Sequence, residues 1–366
     1  MTRLKNDLRR ALFGLVATSL AVSLLSPLAV STSYAQNIEN GHGVLPERRI
    51  RAYKYLGADE DIIRQTVQRI VRQEGDAAGG WVYEWSAIGK YYEALGDDLV
   101  RQGPHQAALD AYMTAGVYYA LAWFPNITSN EQDEAYAAQL RVYKKGGKLF
   151  DVPLEVVEVP FRDGILVTYL HKPVGVAKPP LVIYSGGVDQ YKANHYRPIQ
   201  DYLAKGLAVA TFDMPGFGEG RQWPREQSSE AHVAVLEHYM KRRDIDTGHI
   251  SFFGQSYGGG AALHVALLND PRITAVVAMC AGIRSGGDNS LLATGKIGKG
   301  KTISTPLLVV NGTRDPMNPV EDMMLTYQSA EEADLWLLGL GEHCAVEYYP
   351  VVMPHVAQWL VEKNSR

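Results

Sequence analysis

The sequence predicts an α/β fold, a mainly parallel twisted sheet with helices on both faces, preceded by a helical cap domain. Three observations predict it. From about residue 152 onward, short apolar strand-like runs alternate with helical patterns. From about residue 37 to 150, apolar residues recur at helical spacing instead. Within the strand–helix pattern, HISFFGQSYGGGAALHVALLND (249–270) sets a serine in a Gly-x-Ser-x-Gly turn that joins a strand to a helix.

In chain order, the first segment reads as an export signal. Residues 1–10 are basic, 11–25 are apolar, Pro27 interrupts the run, and Ser33-Tyr34-Ala35 is a small-x-small cleavage site. A retained membrane anchor is the alternative, since residues 11–30 nearly span a bilayer, but Pro27 and the serines argue against it. Arg9-Arg10 also resembles a twin-arginine signal, with Leu8 in place of the usual polar residue. The expectation is a periplasmic or secreted protein with no stable membrane anchor after cleavage. Removing residues 1–35 takes away Arg3, Lys5, Arg9 and Arg10 against Asp7, so the formal charge of −4 becomes −7. No basic block remains to bind nucleic acid.

The helical domain, residues 36–151, follows. Ile63, Val67, Ile70 and Val71 make one apolar face, and Trp81, Trp85, Ile88 and Tyr92 make another. Two further helices are expected over 107–123 and 131–145. Trp85-x2-Ile88-Gly89-x2-Tyr92 matches the start of a tetratricopeptide repeat, but no further copy follows, so it reads as ordinary helix packing. The many Trp and Tyr residues here are expected mostly in the core, with some rings lining an apolar or aromatic pocket if the helices form a lid.

The second domain, 152–366, opens with strands 154–161 and 165–171 joined by Arg162-Asp163-Gly164, a hairpin signal. Strands at 181–184, 207–212, 250–253, 273–279, 307–310 and 335–340 follow, all read as buried, with helices near 196–205 and 230–243 and an amphipathic helix at the C-terminus. The Asp213-Met214-Pro215-Gly216-Phe217-Gly218-Glu219-Gly220 stretch reads as a structural turn.

A serine hydroxyl is a poor nucleophile at neutral pH and needs a base, which itself needs an orienting acid. Ser256 is the candidate nucleophile, Asp315 the acid and His343 the base, each placed after the end of a predicted strand, where parallel sheets put their sites. Asp315 precedes a proline in a turn, so bonding to its own backbone is the competing reading. His264 and His355 fall within helices, which leaves His343 ahead of them. An oxyanion needs two backbone donors. Tyr257 supplies one, and the loop with Gly187 and Val188, after 181–184, supplies the other. Asp189 stands beside that loop, where a carboxylate is repulsive unless protonated, paired or turned away; it is either an auxiliary acid or a helix cap. Cys280 and Cys344 are too few for a disulfide scaffold. A bridge between them requires an oxidising compartment, and buried free thiols are the reading taken. No metal-ligand spacing and no dinucleotide fingerprint appears, so no cofactor or metal is expected.

These features resemble the α/β-hydrolase superfamily. More narrowly they resemble the branch containing the fermentation-respiration switch protein, 2,6-dihydropseudooxynicotine hydrolase and the polyketide-shortening hydrolases. The likeness rests on the aromatic N-terminal helices, PFRDGILVTYLHKP, Gly186-Gly187-Val188-Asp189, DMPGFGEG and GQSYGG. It implies triad roles for Ser256, Asp315 and His343, and places Asp189 where some members carry a functional acid. Members of this branch cleave esters or carbon–carbon bonds next to a carbonyl. One member type lacks a working nucleophile, whereas all three triad residue types are present here. The export signal departs from the branch, whose named members are mostly intracellular.

The leading expectation is therefore an exported serine hydrolase acting on an ester or a carbon–carbon bond beside a carbonyl in a small apolar or aromatic substrate. A peptidase related to prolyl oligopeptidase is an alternative, weakened because the N-terminal region reads as helix and not β-propeller. A non-enzymatic protein binding through its helices is the alternative of a different class. Helix-rich caps also form dimer interfaces, which leaves a homodimer open.

Overall fold

The computed structural model describes residues 45–365 except 74, 76, 104, 286–290, 292–296 and 298–302; the expected export signal lies outside the described residues. Five helices come first: α1 (Glu47–Leu56), α2 (Glu60–Arg69), α3 (Trp81–Gln102), α4 (His105–Trp123) and α5 (Asn130–Gly147). The start of α5 is set by a capping box, in which the Ser129 hydroxyl accepts from Gln132 N while the Gln132 side chain accepts from Ser129 N. α2 ends earlier than its apolar pattern suggests. Val71 and Arg72 N–H donate to Gly79 O, which draws the chain out of the helix, and Val71 is 62% exposed instead of packed.

Eight strands then build one sheet: β1 (Glu155–Phe161), β2 (Gly164–His171), β3 (Pro180–Ser185), β4 (Ala208–Phe212), β5 (Asp246–Gln255), β6 (Ile273–Met279), β7 (Leu307–Gly312) and β8 (Ala333–Leu338). Their order is β1-β2-β4-β3-β5-β6-β7-β8, with β2 antiparallel to both neighbours and every other pairing from β4 to β8 parallel. Alternation along β3 shows why both faces are covered. Leu181 and Ile183 join one apolar cluster, and Val182 and Tyr184 join the other. One face packs on α7 (Ser228–Tyr239), α8 (Tyr257–Ala266) and α9 (Val320–Gln328); the other packs on α6 (Tyr196–Leu203) and α10 (Tyr349–Asn364). β8 departs from the expected buried strand. It is the sheet edge, with β7 as its one neighbour, so its residues are only half-buried, and it ends at Leu338.

Helices α1–α5 share a core with the first face of the sheet. Trp81, Trp85, Tyr118 and Tyr119 pack among the helices, whereas Trp123 stacks on Tyr191 of the sheet domain at 4.2 Å between centroids, and Tyr143 stacks on Tyr169 at 5.4 Å. The Tyr143 hydroxyl also meets His171 Nε2 at 2.9 Å. Tyr91, by contrast, is 65% exposed.

A buried ion pair ties the two layers together. Lys192 is fully buried, and its Nζ donates to Asp213 Oδ2 at 2.6 Å, to Glu219 Oε2 at 2.5 Å and to the Tyr136 hydroxyl of α5 at 3.2 Å. Tyr136 donates in turn to Asp213. Burial alone would raise the Asp213 carboxyl, but the adjacent Lys192 charge outweighs it and holds the group below the usual range. Removing one member of such a pair leaves the other charged and buried. Lys192→Met is expected to cost about 3 kcal/mol of unfolding free energy, read from the urea midpoint. A loss within about 0.5 kcal/mol, the range of ordinary surface substitutions, would contradict this anchoring role.

Candidate active site

Ser256 sits between β5 and α8 with φ 54° and ψ −116°, a positive-φ conformation that side chains rarely adopt. Two backbone bonds hold it there: Ser256 N donates to Met279 O at 2.8 Å, and Gly260 N donates to Ser256 O at 3.0 Å. Gly258 must be small because a Cβ there would fall 2.5 Å from Gly186 O, and one on Gly254 would collide with the Gly258 carbonyl. The turn therefore has the tight geometry that its glycines imply.

Asp315 follows β7 and His343 follows β8, and both side chains reach Ser256's edge of the sheet. His343 Nε2 lies 3.0 Å from Ser256 Oγ, and Nδ1 lies 2.7 Å from Asp315 Oδ2. With the Asp315 carboxylate accepting from Nδ1–H, the Nε2 lone pair faces the serine hydroxyl. Asp315 makes its own turn as well, since Oδ1 accepts from Met317 N at 2.8 Å. The structural reading and the functional one thus fall on different oxygens of one carboxylate. Asn311, at the end of β7, donates to Asp315 Oδ2 at 2.9 Å and to Asn318 O at 2.8 Å. Burial pushes the Asp315 carboxyl up, but the hydrogen bond and charge of His343, with help from Asn311 and Met317 N, prevail and keep it lowered. His264 and His355 lie on α8 and α10, as their apolar surroundings suggest, and His355 Nδ1 meets Val351 O of its own helix at 2.7 Å.

The loop after β3 lies against this serine. A Cβ on Gly187 would come within 3.2 Å of Ser256 Cβ, and Val188 beside it is exposed. Tyr257 is the first residue of α8, where N–H groups lack partners within the helix. Two residues from the N-terminal helical region, neither marked by any local sequence signal, grip the loop. Arg49 of α1 donates to Asp189, and Asn126, with its amide nitrogen turned inward, reaches Val188 O at 3.1 Å. Asp189 is therefore paired rather than capping a helix, with its charge engaged by Arg49.

The cysteine reading is corrected by the structure. Cys280, directly after β6, and Cys344, directly after His343, are joined in a disulfide with a Cα–Cα separation of 4.6 Å. They meet because the turn after β8 folds back across the end of β7, a contact between residues 64 apart that spacing along the chain does not reveal. Among the described residues, Cys280, His343 and Cys344 form the one cluster of metal-ligand type. Both sulfurs are bonded to each other and both imidazole nitrogens are engaged, which does not fit a resident metal.

Among the described residues, three other histidines are buried around the sheet. His195 packs under Gly186, with no hydrogen-bond partner at Nε2; His232 Nε2 meets Ser185 Oγ at 2.8 Å; His171 meets Tyr143. Burial lowers His171 and His232 to about 4 and His195 to about 3. Below about pH 6.5 the unfolded chain binds protons at these positions, and the folded protein does not until about pH 4. Acidification across that window therefore favours unfolding, by at most about 1.4 kcal/mol per pH unit for each histidine. Urea unfolding should show stability falling between pH 6.5 and 5, with a shallower slope in His232→Asn; stability unchanged over that interval would contradict neutral burial.

The model of the family "Esterase FrsA-like" matches residues 60–286, a stretch that includes Ser256 but ends before Asp315 and His343. Esterase FrsA of Vibrio cholerae serotype O1 is 30% identical over 212 residues, 57% of this chain and 50% of that protein, so the chain spans about half the length of this relative. Esterase FrsA of Yersinia pestis (strain Pestoides F) is 26% identical over 326 residues, 78% of this chain and 77% of that protein. Among solved structures, 2,6-dihydroxy-pseudo-oxynicotine hydrolase superposes with a TM-score of 0.72 at 21% identity, covering 86% of this chain and 95% of that one. AbyA5 superposes with a TM-score of 0.63 at 17% identity, covering 83% and 93%. At these identities the structural likeness speaks for the fold, which is that of the α/β-hydrolases. With the sheet order, the helical N-terminal region and the family match in agreement, this chain belongs to the FrsA-like esterase family.

Proposed function

We propose that the protein is a serine hydrolase that cleaves an ester of a small, apolar or aromatic substrate. The observation that carries this is the run of contacts from Ser256 Oγ to His343 Nε2 at 3.0 Å and from His343 Nδ1 to Asp315 Oδ2 at 2.7 Å. Ser256 Oγ attacks the ester carbonyl as His343 takes its proton, and Asp315 steadies the imidazolium that results. The backbone N–H groups of Val188 and Tyr257 hold the oxyanion. His343 then returns the proton to the departing alcohol, and a water activated by the same imidazole releases the acid. No cofactor enters these steps.

Ester cleavage is preferred over carbon–carbon cleavage because Asp189, the acid nearest the oxyanion loop, is engaged by Arg49. A freely available proton donor is what a carbanion leaving group needs. Export to the periplasm or beyond is part of the same reading. It is supported by the basic-apolar N-terminus with its small-x-small site and by the buried disulfide, which suits an oxidising compartment.

Turnover of p-nitrophenyl esters should fall by roughly 10⁴-fold or more in Ser256→Ala and by about 10²- to 10⁴-fold in Asp315→Asn, with both variants folded. Unchanged turnover in Ser256→Ala would remove Ser256 as the nucleophile, whereas folded wild-type protein with neither ester turnover nor fluorophosphonate labelling would remove the enzyme reading in favour of a binding module. Asp189→Asn is expected to change the turnover of an ester and of an aryl β-diketone by the same factor. A loss confined to the diketone would instead favour carbon–carbon cleavage.

A further inference from the structure

We propose that the Cys280–Cys344 disulfide positions the base His343, so that hydrolysis requires the oxidised pair and is switched off by a dithiol reductant. This rests on the serine hydrolase reading above and adds its control.

The end of β6 touches all three segments of the site. Met279 O accepts from Ser256 N at 2.8 Å, and Cys280 N donates to Val310 O at 2.7 Å, at the end of the strand that carries the Asp315 turn. Cys280 O accepts from Asn318 Nδ2 at 2.9 Å, and Asn318 O is bound by Asn311, which also holds Asp315. The fourth link is covalent: Cys280 Sγ is bonded to Cys344, whose backbone continues directly from His343. Nucleophile and acid are thus tied to this point by hydrogen bonds, and the base by the disulfide.

The backbone beside His343 needs such a tie. Cys344 has φ 64° and Ala345 has φ 47°, and Cys280 at the other end of the bridge has φ 48°. None is glycine, and consecutive left-handed residues persist only where the surroundings over-determine them. Around this segment Ala345 N donates to Glu342 O at 2.8 Å, Gly341 N to Leu338 O at 3.1 Å, Arg314 N to Gly341 O at 2.7 Å and Glu342 N to Glu347 Oε1 at 3.2 Å, and residues His343–Tyr348 form a short 3-10 turn. The disulfide is the covalent tie on this turn, and it is attached at the residue next to His343. Once the bridge opens, residues 344 and 345 are free to return to negative φ, which swings the imidazole away from Ser256 and Asp315. A displacement of about 1 Å at a reacting group is enough to cost about 10²-fold in rate.

The redox step balances with a dithiol as reductant. One of its thiolates attacks a sulfur of the bridge and forms a mixed disulfide, and its second thiolate then displaces that protein sulfur. Two electrons and two protons pass to Cys280 and Cys344, and the dithiol leaves as its own disulfide. Both cysteines are buried, so the exchange runs through local opening and is slow under native conditions.

The test compares oxidised protein, protein reduced with dithiothreitol, reoxidised protein and the Cys280→Ala/Cys344→Ala variant, in fluorophosphonate labelling and ester turnover. Thiols are counted and circular dichroism is recorded in parallel. The expected result is two thiols per chain, unchanged circular dichroism, a kcat at least tenfold lower with KM within twofold, and recovery on reoxidation. The double variant should match the reduced protein and ignore dithiol. Reduced, folded protein with an unaltered kcat would overturn the proposal. So would a loss of activity that merely tracks the unfolded fraction, which would make the bridge a general staple; the wild-type reduction arm decides this even if the variant does not fold. If oxidised protein is not labelled at Ser256, the hydrolase reading fails and this inference falls with it. Labelling that is blind to reduction sinks this inference alone.

Discussion

Gln255, Met279, Val310 and Trp336 lie in one row across four parallel strands, each paired with the next. The residues of the site emerge just beyond that row: Ser256 at once after β5, Cys280 at once after β6, Asp315 three residues past β7 and His343 five residues past β8. A slip of one residue in any pairing would turn that strand's side chains to the opposite face and shift its loop relative to the others. The alternating burial of the two sheet faces resists such slips, because each face has its own helices to fill. The geometry of the site therefore begins as a packing constraint, and the polar contacts refine what the sheet has already aligned.

The N-terminal helices enter this arrangement at one place in particular. Trp123 stacks on Tyr191, Arg49 holds Asp189, and Lys192 with Tyr136 fixes Asp213, so the segment 189–192 is contacted from the helical side along its length. That segment continues from Gly187 and Val188, the loop beside Ser256. The N-terminal helices thus act on the site through the position of this loop, and many of their aromatic residues are buried in the core they share with the sheet. The mouth of the site also has α1 beside it, with Arg48 3.9 Å from Glu342.

The places of most strands along the chain and the serine turn are legible in the sequence because both depend on local patterns: apolar runs of strand length, and glycines where a Cβ has no room. Asp315 and His343 are singled out in the sequence by their place after strands, and the structure brings both to Ser256, although neither residue differs locally from an ordinary turn or loop residue. The contacts that escaped were those formed between distant segments by the fold itself. Arg49 lies in a charged helix start like many others, and nothing in its neighbours points to Asp189, 140 residues away. Cys280 and Cys344 have no spacing signature, and their meeting depends on how the turn after β8 folds back. Asn311 did leave a trace, as a polar residue closing the apolar run of β7, and its partner in the Asp315 turn explains it. At Val71 and β8 the hydrophobic pattern overstated burial, because a short bridge and an edge position decided exposure instead.

On the hydrolase reading proposed above, Ser256 is activated by its place in this geometry. Peptide mapping by mass spectrometry after reaction of the folded, oxidised protein with a fluorophosphonate addresses it most directly. A single stoichiometric adduct on Ser256, absent from heat-unfolded protein, is the predicted result. An intact, folded protein that carries no adduct, or carries it on another serine, would contradict the account.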